Sequence, residues 1–512
     1  MAPARSVDHL AIGRDRAPSV PHGDVVSRRL RMWIGAAVLV ALPGCALFGG
    51  HRENLSPVAL GFEHFHNRDF GSPHQTGVPL ALALAAIRHY PEQLGGDGVR
   101  FAEKFGIPFR PDRPDSLPSG FVLHRDGITG LDFAMTNCSF CHSGRIGDRI
   151  IPGLGSSELR LNALNNAVVE VASRSDFNAE TLLPLAKAAA KRRGSPWGWR
   201  QAWATKSAIK LIKKRASGDM ANAFGGMRGV DAGPGRNSAI EFAKAASKVP
   251  IAPPYSFAKY PAVWVYRKRS TFGYDGSIVG DRAMALSAVE FNKRMPPDDL
   301  VGRRKLWESV YAYVLTIEPP RYPGAVDSAL AERGHEIFGA TCAKCHGTYR
   351  HGDDPGHYQE KVVPLSVVGT DGDRLHSVTP ELVAARKKGP LARYVWLEPS
   401  KGYVAPPLDG IWCRGPYLHN GSVPTVADLL RPQRERPVTF YVGSGTDYDL
   451  ERLGLQYAEN PGPDSARTGL RSSPRQFLFD TTKPGNSNLG HDFASKLTAE
   501  QRRAVLEYLK QL

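Results

Sequence analysis

Two short stretches decide how this chain folds: CSFCH at residues 138–142, the first motif, and CAKCH at residues 342–346, the second motif. In each motif, two cysteines separated by two residues are followed at once by a histidine. This spacing lets both thiols bond to the vinyl groups of a haem while the histidine binds the iron from one face. We therefore predict two covalently attached haems (haem c), with the motif histidines as iron ligands. The predicted haem-binding residues are Cys138, Cys141, His142, Cys342, Cys345 and His346.

A zinc site is the main alternative for two Cys-x-x-Cys pairs. The pairs begin 342 − 138 = 204 residues apart, whereas zinc ribbons bring a second pair within about twenty residues. The adjoining histidines also favour haem. The other cysteines, Cys45 and Cys413, do not suggest a disulfide framework. Cys413 is a candidate for a functional thiol, against the commoner role of a small buried hydrophobic residue.

Length and composition indicate a folded chain of two or three domains, since 512 residues are too many for one ordinary core. A content of 52 Gly and 40 Pro indicates long ordered loops. We predict a mainly α fold with two cytochrome c-like haem domains, long irregular loops and few short strands. The predicted segments are a leader with a lipoprotein-type signal at 1–45, an N-terminal haem domain with a helical insertion at 46–320, and a C-terminal haem domain at 321–512.

A helix is predicted directly before the second motif, over residues 329–341. Gly334 and Phe338 precede Cys342 at intervals of four residues, so all three share one helix face. Because Gly334 has no side chain, a second helix can cross closely there. The predicted partner is the C-terminal helix, which begins with a capping box formed by Thr498 and Gln501. No such helix is apparent before the first motif.

A second helical region is predicted over residues 159–215. Within it, residues 202–215 place four lysines around an apolar stripe. Such a helix could dock on a partner, or it could be an ordinary core-packed helix with a solvated lysine face. The sequence leaves both interpretations open.

The N-terminus predicts export. Three arginines at positions 28, 29 and 31 precede an apolar run at 32–42, and LPGC at residues 42–45 resembles the lipobox of bacterial lipoproteins. Cys45 would then carry a lipid anchor, with ordinary cleavage or an uncleaved anchor as the alternatives. Covalent haem attachment of this kind also takes place outside the cytoplasmic membrane. We therefore expect the protein on the periplasmic side of the cell envelope.

The chain is basic, with a net charge of +16. Residues 1–44 hold six Arg and three Asp, which leaves 16 − 3 = +13 on the remainder. A basic surface suits docking to an acidic electron donor or acceptor, such as a small redox protein, or to an anionic membrane. A merely solvated cationic surface is the alternative. Export excludes nucleic acid as a partner.

The sixth iron ligand decides whether a haem transfers electrons or binds peroxide or dioxygen. The chain has no methionine after Met295, so the second haem needs a histidine, a tyrosine or no further ligand. The histidine candidates are His351, His357, His376, His419 and His491. We favour His491 as the ligand and His419 as an organiser of the pocket.

The first haem has less obvious candidates for a sixth ligand. Met220 and Met227 are the methionines considered, and neither lies in a recognisable ligand setting. We therefore predict an open distal face at this haem. Trp264, in a Pro-rich segment, could relay electrons between the haems or line the pocket; simple packing is the alternative.

Several segments together resemble the bacterial di-haem cytochrome c peroxidase superfamily, and within it the branch of latex-degrading rubber oxygenases. They are DSLPSGF at 115–121, Trp264, YDG at 274–276, PLDGIW at 407–412, PYLHNGSVPT at 416–425, and GNSN at 485–488 followed by Gly490 and His491. The resemblance runs from about residue 115 to the C-terminus.

This resemblance implies an oxidoreductase that reacts with peroxide or dioxygen at the N-terminal haem, with His142 proximal and the distal face open. The C-terminal haem would transfer electrons and pair His346 with His491. Trp264 and His419 are the candidate catalytic residues. Peroxidases of this superfamily carry a methionine where this chain has LLRPQ at 429–433, which argues against a standard peroxidase. A non-enzymatic di-haem electron carrier is the alternative. Calcium between the domains, which related peroxidases bind, stays open, because the sequence contains no recognisable calcium-binding loop.

Overall fold

Helices and short strands joined by long connections make up the chain in the computed structural model, which describes residues 55–109, 117–218, 232–293, 295–442, 448–459 and 477–512. Residues Leu55–Leu512 belong to one compact unit. The predicted leader, Cys45, Met220 and Met227 lie outside the described residues. In the described part, no helix is both long and apolar enough to cross a membrane.

The helices vary from single turns to nineteen residues. The α-helices are Pro57–His66, Pro73–Thr76, Leu80–His89, Pro91–Leu94, Gly98–Lys104, Leu161–Ser173, Ala179–Arg192, Trp199–Ser217, Ala239–Ala246, Arg282–Leu286, Ala288–Asn292, Pro297–Gly302, Arg304–Val314, Ser328–Thr341, Ala343–His346, Leu365–Val368, Asp373–Ser377, Pro380–Lys387, Val426–Leu429 and Ala499–Leu509. The 3-10 turns are Cys138–Phe140, Val263–Arg267, Ile411–Cys413 and Gln433–Glu435.

The strands are two to five residues long and pair antiparallel. Two sheets have three strands, in the orders Val78–Pro79, Asp132–Thr136, Phe121–Arg125 and Tyr457–Glu459, Thr439–Val442, Phe477–Asp480. The two-stranded pairs are Ser143–Ile146 with Arg149–Pro152, Arg236–Asn237 with Ala258–Lys259, Ile278–Gly280 with Val395–Leu397, Lys361–Pro364 with Gly402–Ala405, and Tyr448–Asp449 with Gly454–Leu455.

The helix before the second motif, Ser328–Thr341, crosses the C-terminal helix Ala499–Leu509 at Gly334. A Cβ atom at Gly334 would lie 2.0 Å from the carbonyl oxygen of Ala504, so only glycine permits this approach. Thr498 and Gln501 form the predicted capping box. The predicted close crossing and its capped partner helix are both confirmed.

A second helix pair repeats this arrangement near the N-terminus. Helix Pro57–His66 crosses helix Arg304–Val314, and a Cβ atom at Gly61 would lie 2.0 Å from the carbonyl oxygen of Ser309. Gly61 precedes Phe65 by four residues, as Gly334 precedes Phe338. The two pairs therefore use the same glycine-centred packing.

The first helix of this pair also reaches the first motif, although residues 67–137 separate them in sequence. The Ser139 hydroxyl donates a hydrogen bond to the Phe65 carbonyl (2.9 Å) and lies 2.9 Å from His66 Nδ1. The prediction that no helix leads directly into the first motif is confirmed, since the strand Asp132–Thr136 precedes it. The supporting helix comes from a distant segment that carries no local signal of this role.

Three helices of the predicted helical region, Leu161–Ser173, Ala179–Arg192 and Trp199–Ser217, pack with Leu80–His89 around a separate apolar core. The main core contains residues from both sides of the predicted domain boundary, such as Trp307 and Val310 together with Trp412 and Val505. The boundary at residue 320 stays a prediction.

Candidate haem-binding sites

The histidines of both motifs are held by the same hydrogen bond. His142 Nδ1 lies 3.0 Å from the Pro261 carbonyl oxygen, and His346 Nδ1 lies 2.9 Å from the Pro406 carbonyl oxygen. Because a carbonyl can only accept, Nδ1 carries the proton and donates, which leaves the Nε2 lone pair free for a metal. Both imidazoles therefore have the tautomer that binds metals, as the prediction of iron ligands requires.

The motif backbones place cysteine and histidine together. The His142 amide donates to the Cys138 carbonyl (3.0 Å), and the His346 amide donates to the Cys342 carbonyl (3.1 Å). Each motif thus forms a tight helical turn with its side chains on one side. Burial lowers the pKa of His142 to about 4 and also lowers the pKa of His346, so both rings remain neutral, the form that binds metals.

The motif cysteines are thiols in an apolar setting. Burial raises the pKa of Cys138 and Cys141 to about 12 and that of Cys342 to about 11. Thioether formation removes the ionisable proton altogether and suits such a site.

His491 faces His346 across a gap of the right size for a metal ion. Their ring centroids are 6.1 Å apart, with an angle of 54° between the ring planes. Two imidazoles that bind one ion through nitrogens at about 2 Å have centroids separated by roughly 6 Å. The donor set and spacing therefore fit an iron with two histidine ligands, and the assignment of His491 as a ligand stays a prediction.

A network of backbone contacts holds His491 in place. His491 has a left-handed backbone conformation with φ 48°, and its amide donates to the Val368 carbonyl (2.6 Å). The Arg436 guanidinium donates to the carbonyls of Asn488, Gly490 and His491 at 2.6, 2.7 and 3.1 Å. Burial, with the nearby His346 and Arg436, lowers the pKa of His491 to about 3, which keeps this imidazole neutral too.

Two of the other candidate histidines, His419 and His351, have different partners. The ring of His419 stacks on Tyr403 at 4.2 Å, and its Nε2 lies 3.1 Å from the Tyr403 hydroxyl. His351 pairs with Glu332 (3.2 Å) and stacks on His335. The geometry therefore favours His491 over both as the residue opposite His346.

A cavity of about 1020 Å³ adjoins the first motif, and Cys138, Cys141 and His142 line it. Typical ligand pockets measure roughly 300–1,000 Å³, so this cavity is large enough for a haem. Much of its wall is aromatic or aliphatic. These lining residues include Tyr260, Tyr266, Phe272, Phe291, Leu391, Val395 and Trp396.

Met284 also lines this cavity and is buried. Its thioether is a potential iron ligand that the sequence analysis did not consider. It follows the Asp281 cap of the short helix Arg282–Leu286, and nothing in its local sequence marks it. Among the described methionines, Met284 is therefore the one to test as a ligand of the haem predicted at the first motif.

The cavity wall also carries buried polar groups that lack partners. Arg374 donates one hydrogen bond to the Asp275 carboxylate (3.1 Å), but its Nε has no hydrogen-bond partner among the described residues. The buried Tyr274 hydroxyl likewise finds none there. Leaving such donors unsatisfied costs about 1–3 kcal/mol each. The carboxylate groups of haem propionates are acceptors of the kind that would satisfy them.

Trp264 connects the two segments that hold the motif histidines. It lies three residues after Pro261, and its Nε1 donates to the Asp409 carbonyl (2.9 Å), three residues after Pro406. The side chain is buried, 2% exposed. This position fits a relay between the two sites, as well as simple packing.

Cys413 is 1% exposed, and its thiol donates to the Gly410 carbonyl (3.1 Å). Burial raises its pKa to about 12, so a reactive thiolate is disfavoured. The structure thus favours the role of a small buried residue over that of a functional thiol.

Comparison with known proteins supports a cytochrome in the C-terminal region. A family model described as RoxA-like, cytochrome c-like matches residues 402–441, the segment that contains Pro406 and His419. A cytochrome c-like region implies bound haem c. The match supports the resemblance to the rubber oxygenase branch for this region.

Two proteins of Sinorhizobium fredii are similar over longer stretches. Uncharacterized protein y4iJ is 31% identical over 261 residues, which is 38% of this chain and 41% of that protein. Uncharacterized protein y4iM is 30% identical over 339 residues, which is 56% of this chain and 71% of that protein. The match thus spans less than half the length of y4iJ but more than two thirds of y4iM.

Proposed function

The chain belongs to the same family as protein y4iM of Sinorhizobium fredii, and we propose that it works as an exported di-haem c-type cytochrome with oxidoreductase activity. The observation that carries this proposal is the unequal surroundings of two otherwise matching motif histidines. His346 faces His491 at 6.1 Å between ring centroids, whereas His142 lines a large cavity. Unequal axial surroundings give two irons separate tasks.

The proposed tasks follow from what each site allows. Haem c, when bound, supplies the redox chemistry at its iron. Cys138 and Cys141 would fix the porphyrin, His142 would hold the iron, and the cavity would admit peroxide or dioxygen. The apolar wall excludes bulk water and leaves room for an organic substrate. This site is the proposed centre of reaction.

The second site is proposed to store and transfer electrons. His346 and His491 would both hold the iron of this haem, which would prevent small molecules from binding to it. Trp264 spans the two histidine-holding segments and is the proposed relay between the sites. His419, which stacks on Tyr403, is proposed to organise the pocket. A small redox protein would serve as the external electron donor or acceptor.

Location belongs to the same proposal. Covalent haem attachment outside the cytoplasmic membrane, with the lipobox-like LPGC at 42–45, favours a periplasmic protein with a lipid anchor at Cys45. Mass spectrometry of the N-terminal peptide from membrane fractions tests this. An unmodified chain that begins at Met1 in the cytoplasm would count against it.

The decisive experiment uses protein made in a host that attaches haem c covalently. The intact mass should exceed that of the polypeptide by two haems. Paramagnetic resonance of the ferric protein should contain one high-spin and one low-spin signal, and cyanide should convert only the high-spin signal. A bare polypeptide mass, or an unchanged spectrum with cyanide, would refute the proposal.

A non-enzymatic electron carrier is the second candidate, and Met284 is the observation that favours it. If Met284 binds the first iron, the ferric protein should have two low-spin haems and no cyanide response. The variant Met284→Leu should then gain a high-spin signal. In the oxidoreductase proposal, this variant leaves the spin states unchanged.

A further inference from the structure

Two tryptophans stand exposed on the nineteen-residue helix Trp199–Ser217, outside the proposed haem sites. Trp199 is 75% exposed and Trp203 is 63% exposed. Tryptophan is highly buried on average in folded proteins, so two neighbouring exposed ones indicate an interaction surface. Their spacing of four residues places them one turn apart on the same side of the helix.

The same face continues toward the C-terminal end of the helix with lysines. At 3.6 residues per turn, the two tryptophans and four lysines fall within an arc of about 100°. These lysines are Lys206, Lys210, Lys213 and Lys214, all exposed. The opposite side carries buried residues, among them Ala204 and Ile209, and packs against the protein. We call the exposed side the Trp–Lys face.

The surroundings of the Trp–Lys face add positive charge and no negative charge. Residues 181–218 contain no Asp or Glu. They contain ten basic residues: Lys187, Lys191, Arg192, Arg193, Arg200, Lys206, Lys210, Lys213, Lys214 and Arg215. Among the described residues, Lys206, Lys210 and Lys214 form no ion pair. The field above this surface is therefore strongly positive, because the only acidic residue of these two helices, Glu180, lies in the first turn of helix Ala179–Arg192.

We propose that the Trp–Lys face docks the protein on an anionic phospholipid surface. Tryptophan rings prefer the headgroup region of a bilayer, where their apolar body and N–H are both accommodated. Lysines beside them are attracted to anionic headgroups. The charge is spread over two helices and the turn between them, which suits a continuous lipid surface better than the compact patch of an acidic protein.

The test is partitioning onto vesicles. The haem-loaded protein is exported with a cleavable signal in place of residues 1–45, so that no attached lipid carries it to the bilayer. Vesicles contain phosphatidylcholine alone or with one third phosphatidylglycerol, and Soret absorbance of the pellet measures bound protein. The wild type should bind the anionic vesicles and not the neutral ones, with binding that weakens as salt rises.

Two variants and one control locate the surface. A lysine near an anionic bilayer strengthens binding about five-fold, so Lys206→Gln with Lys210→Gln should weaken it roughly 25-fold. Trp199→Ala with Trp203→Ala should weaken it about ten-fold. The control Lys387→Gln with Lys388→Gln removes the same charge from exposed positions at the C-terminal end of another helix. It should change binding by less than about two-fold.

All three variants alter exposed side chains, so Soret spectra and circular dichroism should match the wild type. Absence of binding to anionic vesicles would overturn the proposal, as would equal losses in the control and the Lys206/Lys210 variant. Binding to a soluble acidic polypeptide without binding to vesicles would assign the face to a protein partner and overturn it too.

Discussion

Gly334 offers a quantitative test of the helix crossing at the second motif. In Gly334→Ala the new Cβ would lie 2.0 Å from the Ala504 carbonyl oxygen and 2.9 Å from the Tyr508 Cβ. The first distance is more than 1 Å shorter than an ordinary van der Waals contact. The Ala504 carbonyl is a backbone group, so it cannot move aside as a flexible side chain could. Helix Ala499–Leu509 must therefore move away as a unit, which loosens the packing around Phe338 and Val505.

The size of the effect follows from two opposing contributions. Overpacking a core by one methyl group costs about 1–3 kcal/mol, and the backbone clash places this site at about 3 kcal/mol. Alanine favours the helix over glycine by about 1 kcal/mol. We therefore expect Gly334→Ala to lower the free energy of unfolding by about 2 kcal/mol.

A matched control lies on the same helix. A Cβ at Gly339 meets nothing within 4 Å, so Gly339→Ala should raise the free energy of unfolding by about 1 kcal/mol through helix propensity alone. Guanidinium unfolding of the haem-loaded protein, followed at the Soret band and by circular dichroism, measures both. If Gly334→Ala is as stable as Gly339→Ala, the close crossing is not what holds these helices together.

The remaining predictions concern the sites. His491→Ala should convert one low-spin haem to high spin and allow cyanide to bind it, whereas His419→Gln should leave the spin states of both haems unchanged. Paramagnetic resonance measures both variants. A His491→Ala protein with an unchanged low-spin signal would exclude His491 as the ligand. Burial lowers the pKa of His419 to about 3, below about 6.5 for the unfolded chain, so stability is lost as pH falls from 6.5 toward 3. His419→Gln should make this loss shallower, as measured by unfolding at pH 7, 5 and 4; an identical slope would contradict the buried neutral state. Trp264→Phe should slow electron transfer between the haems in flash-photolysis experiments without changing their spectra; an unchanged rate would leave Trp264 a packing residue.

Local signals in the sequence predicted the second helix pair well. Gly334, Phe338 and Cys342 follow one another at helical spacing, and the capping box at Thr498 marks where the partner helix begins. Both helices are continuous segments whose apolar faces can be recognised without knowing the fold. The crossing point could be predicted because Gly334 has no side chain.

The first helix pair escaped prediction for a physical reason. The helix Pro57–His66 lies against the first motif through Ser139 and Phe65, but 71 intervening residues, 67–137, remove any spacing that could reveal the contact. Gly61 and Phe65 look like ordinary residues of an amphipathic helix in the sequence. The close approach of Ser309 to Gly61 becomes visible only in the tertiary structure. Met284, Arg374 and Tyr274 likewise become candidates only because distant segments place them on one cavity.

Covalent haem attachment at the motifs can be predicted from the sequence, because the two thiols and the imidazole must follow one another at a fixed spacing to bind one haem. The sequence alone therefore predicted the two haem-binding motifs and their proximal histidines, and it determined the helix that precedes the second motif. The tertiary structure decided which side chains face those histidines: His491 opposite His346, and a large apolar cavity beside His142. The residue opposite a motif histidine can come from any position in the sequence, provided that the fold brings it close. No local sequence pattern can therefore identify it.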